Sequence, residues 1–402
     1  LEENFGLRCP RAFYSRRIIL RSRPRIAVLS TGRQDLGILR STITGLLESS
    51  QLEARIWAGG MHHQERFGAK LSGFAEANLP VHRNVEFLSE PPESIGDAGR
   101  AVEAVGNAIR DEKPDALFLV GDRSETLAAG MAATISRVAI AHLHGGEESE
   151  GATDNAFRHA LTKLSHLHLV AHSEAAERVT QMGEDPAAIH IVGPPGVDHL
   201  YRQDLPSRAV VERELGRKLT DPLVLVTVHP ATLGNAPLAE VSAIAAAMER
   251  VPATYVVSRP NSDEGGREIN DFWTTWAAGW KNVIVVEALG ANRYWALLRE
   301  AKAVIGNSSS GILEAPWAGV PVVNVGDRQR GRLRIGTVHD VAPDADSVER
   351  ALLVALSNGA VPLGADGRFP SGAAGPRIVK ILEEWKIPNP PVKRFVPIEV
   401  KK

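Results

Sequence analysis

From Arg25 onward the chain alternates short apolar runs with longer amphipathic stretches. RIAVLS (25–30), ARIWA (54–58), NVEFL (84–88), ALFLV (116–120) and AIAHL (139–143) have strand length and little polar alternation. Helical spacing of apolar residues fills the intervals near 38–47, 63–77, 97–110, 125–136 and 154–165. Strands that are apolar on both faces and separated by helices predict a parallel sheet covered on both sides. The scheme then repeats. LVLVTV (223–228), TYVVS (254–258), NVIVVE (282–287), AVIG (303–306) and PVVNV (321–325) alternate with helical patterns near 238–250, 291–300 and 311–318. The Pro/Gly-rich segment 193–206 divides the two halves, and a last helix is predicted near Pro376–Trp385.

A chain of 402 residues exceeds what one core usually supports, which agrees with two units. We read a basic extension at 1–23, expected to be flexible, then Rossmann-like domains at 24–200 and 201–375, and a C-terminal helix and tail at 376–402. The fold class is α/β, with a cleft between two parallel-sheet domains. Lys plus Arg number 46 against 48 Asp plus Glu, a balance that argues against a nucleic-acid partner held on a broad basic surface. A single cysteine, Cys9, excludes a disulfide framework and a zinc site of several thiolates. No run approaches the roughly 18 apolar residues of a membrane span. A cytoplasmic protein with no membrane partner is therefore expected.

The missing motifs narrow the chemistry. The first strand ends VLSTGRQDLG, without the G-x-G-x-x-G of dinucleotide enzymes. Neither G-x-x-x-x-G-K-[ST] nor G-x-S-x-G occurs. The chemistry that remains sits at strand ends, where open α/β sheets place their functional residues. Arg33 opens a helix after the first strand, a setting suited to phosphate, and Asp35 favours the helix start. Asp122 and Arg123 follow the fourth apolar run, with Asp122 also a possible N-cap. His142 and His144, at strand spacing, should share one face, ahead of Gly145-Gly146 and Glu147. Asp154 begins a helical pattern carrying Arg158 and His159. Six of the 13 histidines lie between 142 and 172, yet no metal-ligand spacing appears and no metal is expected. In the second half, His229 ends a buried strand, and Asn261 lies in a turn. Ser308 and Ser309 form a hydroxyl-rich turn suited to a diphosphate, Glu314 follows five residues after Ser309 within reach of a ribose, and Arg328 begins an arginine group.

Seven segments carry a family resemblance: TGRQDLGILR (31–40), AGGMHHQERFG (58–68), VGDRSETLAA (120–129), HLHGGEESEGATDNAFRHALTKLSHLH (142–168), VHPATL (228–233), RPNSDEGG (259–266) and IGNSSSGILEAPWAGVPVVNVGDRQRGRLR (305–334). The chain resembles the hydrolysing UDP-N-acetylglucosamine 2-epimerases of sialic-acid and legionaminic-acid type pathways, including relatives acting on UDP-diacetylbacillosamine. The resemblance implies a GT-B fold and cleavage of a UDP-2-acetamido sugar to UDP and the 2-epimeric free sugar. The implied route is anti elimination to a glucal and then hydration, with no cofactor. It implies Asp122 and Asp154 as catalytic acidic residues, Arg123 beside the substrate and His229 near the diphosphate. It further implies Arg33, Asn261, Ser308, Ser309, Glu314 and Arg328 as nucleotide-binding residues, and a homodimer or homotetramer. Where the human-type members carry glutamate in H-x-E-G-G this chain has His144, so the second proton-transfer group lies among His144, Glu147 and Asp154.

Overall fold

The computed structural model describes residues 23–64, 71–90, 93–148, 154–230, 238–260, 266–330, 333–358 and 372–397, with the Arg33 side chain excepted. The extension 1–22, Asn261 and residues 359–371 therefore lie outside the described residues. The first half supplies β1 (Arg25–Ser30), α1 (Arg33–Glu48), β2 (Glu53–Gly59), α2 (Ser72–Glu76), β3 (Arg83–Val85), α3 (Ser94–Glu112), β4 (Ala116–Val120), α4 (Ser124–Ile135), β5 (Ala139–Leu143), α5 (Asp154–Leu164), β6 (Leu167–Val170), α6 (Ser173–Gln181) and β7 (Ile189–Ile191). The second supplies α7 (Arg208–Leu215), β8 (Leu223–Thr227), α8 (Ala239–Arg250), β9 (Thr254–Ser258), α9 (Gly266–Ala277), β10 (Val283–Val286), α10 (Gly290–Leu298), β11 (Ala303–Gly306), α11 (Ser309–Leu313), β12 (Val322–Val325), β13 (Val338–Val341), α12 (Ala345–Asn358) and α13 (Ala374–Glu384).

Two parallel sheets result, in the orders β3-β2-β1-β4-β5-β6-β7 and β10-β9-β8-β11-β12-β13. Their strands are apolar on both faces because both faces are covered. Ile26 and Val28 pack with Leu39 and Ile43 of α1 and Ile378 of α13, whereas Ala27 and Leu29 pack with Ala101 and Val105 of α3 and Ala129 of α4. In each sheet the order reverses beside the first strand, between β1 and β4 and between β8 and β11, where doubly wound sheets open a crevice.

Several boundaries differ from the sequence reading. The helical pattern at 63–77 is not one helix. One tight turn covers Gly60–His63 and α2 covers only Ser72–Glu76, with 65–70 between them outside the described residues. Short β6, β7 and β13 were not anticipated, because three or four residues carry too little periodicity to register.

The segment read as a linker is tightly held. Residues Pro195–Tyr201 form a helical turn in which buried Asp198 accepts hydrogen bonds from Ser41 Oγ (2.6 Å), Ala374 N (2.7 Å) and Gly375 N (2.6 Å). One carboxylate thus joins α1, the interdomain turn and the start of α13, supplying acceptors that α13's first N–H groups need. α13 returns to the first half and lies against α1. Gly45 allows the approach, since a β-carbon there would sit 2.9 Å from Val379 Cγ2. No described helix is long and apolar enough to cross a membrane.

Candidate active site

The C-terminal ends of β1, β4, β5 and β6 face residues of the second half across a cavity of about 510 Å³. The first half contributes a charged wall that includes Asp35, Asp122, Arg123, His144, Glu147 and Arg158. The second half contributes Leu313, Trp317, Leu333 and Ile335. Four of the expected residues therefore come together: Asp122, Arg123, His144 and Glu147.

Arg158 was named in the sequence only as a helix residue, and it organises this wall. It is 4% exposed, ion-pairs with Asp122 through Nη2, and donates from Nη1 to the Glu147 carbonyl (2.7 Å) and Asn155 Oδ1 (2.8 Å). A guanidinium so deeply placed needs such partners to offset its lost hydration. Its position on the first turns of α5, inside the segment 142–168, was the available signal. The possible capping role of Asp122 is not what the structure contains. Arg123 occupies the N-cap of α4 without a side-chain cap, and the Asp122 carboxylate turns to Arg158 instead. Arg123 donates to Gln34 Oε1 (2.7 Å).

The two histidines expected on one face are separated. His142 stays in β5, fully buried, with Nε2 2.9 Å from the Gly121 carbonyl. Burial lowers its pKa to about 3, so the ring is neutral and donates to that carbonyl. His144 lies one residue past the strand in the left-handed region, φ +66°, and this breaks the strand alternation. Its Nδ1 is 2.5 Å from Glu147 Oε1. Burial works against a charge on Glu147, but the His144 ring and then Arg158 outweigh it and bring its pKa to about 2. An ionised Glu147 accepts the Nδ1 proton and so fixes the His144 tautomer. Asp154 begins α5 and does not line the cavity. Burial and then the nearby charge of Asp122 raise its pKa. Asp35 is buried behind the first loop and accepts from Thr31 N (2.8 Å) and Thr31 Oγ1 (2.6 Å); burial raises its pKa as well.

Across the cleft, Ser308, Ser309, Glu314 and Arg328, with His229, gather beyond the ends of β8, β11 and β12 rather than in the cavity wall itself, whereas Arg33 begins α1 in the first half. Ser308 caps α11, and Ser309 is its first residue. Glu314 is not deep within a helix, because α11 ends at Leu313. Its Oε2 accepts from Ser310 Oγ (2.6 Å), whose hydroxyl also meets the Tyr294 hydroxyl, and burial raises the Glu314 pKa. Arg328 Nη1 donates to the Asn307 carbonyl (3.1 Å). His229 is gripped through its backbone by the side chain of Asn307, a residue the sequence did not single out.

The chain is similar to several known proteins. A GDP/UDP-N,N'-diacetylbacillosamine 2-epimerase (hydrolyzing) of Campylobacter jejuni is 30% identical over 327 residues, 79% of this chain and 84% of that protein. A UDP-N,N'-diacetylbacillosamine 2-epimerase (hydrolyzing) of Legionella pneumophila is 30% identical over 338 residues, 83% of this chain and 89% of its own. Among solved structures, a UDP-GlcNAc 2-epimerase of Neisseria meningitidis bound to UDP-GlcNAc superposes with a TM-score of 0.74 at 14% identity, covering 90% of this chain and all of that one (100%). That likeness gives the fold, two Rossmann-like domains of the GT-B kind. The family model described as UDP-N-acetylglucosamine 2-epimerase matches residues 45–383. The chain belongs to the UDP-N-acetylglucosamine 2-epimerase family.

Proposed function

We propose that the protein is a hydrolysing 2-epimerase of a UDP-2-acetamido sugar, releasing UDP and the free 2-epimer. The observation that carries this reading is the cavity wall, where an arginine-paired carboxylate, Asp122, stands with a carboxylate-oriented imidazole, His144 with Glu147. A proton on carbon 2 beside an acetamido group is weakly acidic. Its removal therefore calls for a positioned base acting together with stabilisation of the departing diphosphate.

In this reading Asp122, ion-paired with Arg158, takes the carbon-2 proton as the C1–O bond to UDP breaks, leaving a glucal. Water then adds to carbon 1 while carbon 2 is reprotonated from the other face. His144 and Glu147 line the cavity and Asp154 does not, so we assign the returned proton to His144 Nε2, which takes it up from solvent while Glu147 holds the Nδ1–H on the other side of the ring. Arg123 sits beside the sugar. His229, Arg328, Ser308 and Ser309 receive the diphosphate, where N–H groups and fixed cations suit it. Glu314 is placed by the same reading at the ribose, and Arg33 and Asn261 join the nucleotide contacts on the resemblance alone. We further propose a cytoplasmic homo-oligomer working without metal or cofactor.

Incubating the protein with UDP-GlcNAc and, separately, UDP-N,N'-diacetylbacillosamine tests the reading. Free UDP and a free 2-epimeric sugar from at least one of them are expected. A 2-epimer still attached to UDP would overturn the hydrolytic assignment, and transfer to an added acceptor would overturn the epimerase reading.

A further inference from the structure

We infer that Asn307 is a positioning residue that sets His229 and Arg328 together on the diphosphate, an inference that rests on the proposed site. β8 and β11 run in register up to Thr227 and Gly306, and there the ladder should end. Gly306 takes φ +141°, and a β-carbon on it would overlap the Thr227 carbonyl oxygen, so the two backbones meet with no side chain between them. Asn307 N then donates to Thr227 O (3.2 Å). Beyond that point the Asn307 side chain takes the place of a further peptide group. Its Oδ1 accepts from His229 N (2.7 Å) and its Nδ2 donates to His229 O (2.8 Å). Both backbone polar groups of His229 are thus held by one amide that is 0% exposed and so touches no ligand.

The same residue reaches Arg328. The Asn307 carbonyl accepts from Arg328 Nη1 (3.1 Å) and from Gln329 Nε2 (2.9 Å), both following β12. One buried residue therefore joins the ends of three strands, holding the backbone from which the His229 side chain starts and one guanidinium nitrogen of Arg328. Only an amide serves. Aspartate, although isosteric, would turn an acceptor toward the His229 carbonyl, and alanine would leave both His229 groups unanswered.

The test compares Asn307→Asp with the parent, and uses Asn324→Ala as a control for loss of a buried amide in the same sheet. Asn324 donates to Asp340 Oδ1 (2.7 Å) and has no hydrogen bond with His229 or Arg328. Without any substrate, the His229 Cε1–H resonance is followed through a pH titration. We expect Asn307→Asp to displace the resonance and its midpoint, and Asn324→Ala to leave both in place. An unmoved His229 signal in Asn307→Asp overturns the inference whatever the enzyme's substrate.

With UDP-sugar, Asn307→Asp should lower kcat by about 10²-fold, the scale of an ångström-size misplacement. It should cost far less in a His229→Ala background, because it acts through that residue. Equal losses in both backgrounds would contradict the positioning role. A parent that releases no UDP while the His229 resonance still responds would count against the functional reading and leave the clamp standing.

Discussion

At the scale of single residues, the site is a set of groups whose neighbours decide their charge. Arg158 keeps Asp122 company on one side and braces the Glu147 loop on the other, so the carboxylate that faces the cavity is paired but still positioned. Asp122→Asn should abolish UDP release, a fall of 10³-fold or more on the scale of losing a base, with UDP affinity near that of the parent by calorimetry. Parental turnover in that variant would remove Asp122 from catalysis. His144→Gln and Asp154→Asn separate the two candidate proton donors. The geometry predicts that the first loses product release and that the second retains a larger share. The reverse order would transfer the role to Asp154. Sequence spacing found these residues but misjudged their setting. His142 and His144 looked alike two positions apart, and only the left-handed φ at 144 divides a neutral buried brace from a cavity group.

Secondary-structure elements show which parts of the fold were legible and which were not. Long apolar runs such as LVLVT in β8 declare themselves, since buried parallel strands need apolar residues on both faces. Strands β6 and β7 do not, because LHLV and IHI are short and interrupted by histidines. His168 is buried against Glu184, with Nε2 2.9 Å from Oε2. The interdomain segment likewise read as a Pro/Gly linker because the acceptors at Asp198 serve donors more than 150 residues away in the chain. Asp198→Ala should destabilise the docking of α13 on α1 by about 1–3 kcal/mol, the cost of stranding buried donors, seen as a lowered urea midpoint. An unchanged midpoint would show that the three hydrogen bonds contribute nothing. The tail makes a similar clasp. Lys393 pairs with Glu184 (2.6 Å) and donates to the Lys163 carbonyl (2.8 Å) at the end of α5, the helix that carries Arg158.

Over the whole molecule the proposed function divides the labour between two sheets, and two measurements follow. Binding of UDP alone should depend on the second: Arg328→Ala or Ser309→Ala should weaken UDP binding and raise KM by roughly tenfold, consistent with one lost charged or polar contact of about 1.4 kcal/mol or more. Unchanged affinity and KM would move the diphosphate away from α11. Stability should fall in acid earlier than carboxylates alone dictate. His142 is neutral in the folded state, its pKa lowered to about 3 by burial, and burial lowers His199 to about 4. A lowered histidine pKa favours the fold fully above the ordinary value near 6.5, and that contribution is lost as pH falls from there toward 3–4. Glu184 adds a later loss. Burial opposes its charge, but His168, Lys163 and Lys393 bring its pKa to about 2, so its share is complete above about 4.5 and fades toward 2. The thermal midpoint should therefore decline from pH 6.5 downward. A flat profile to pH 4.5 would contradict the assigned state of the buried histidines.

In the proposed reaction, carbon 2 of the sugar loses its proton to the enzyme as UDP departs and regains one drawn from solvent. Turnover of the UDP-sugar in deuterated water, read by NMR of the released sugar, tests this directly. One deuterium is expected at carbon 2 of every product molecule, with the configuration there inverted. Free sugar carrying only hydrogen at carbon 2 would contradict it, whatever the fate of the UDP.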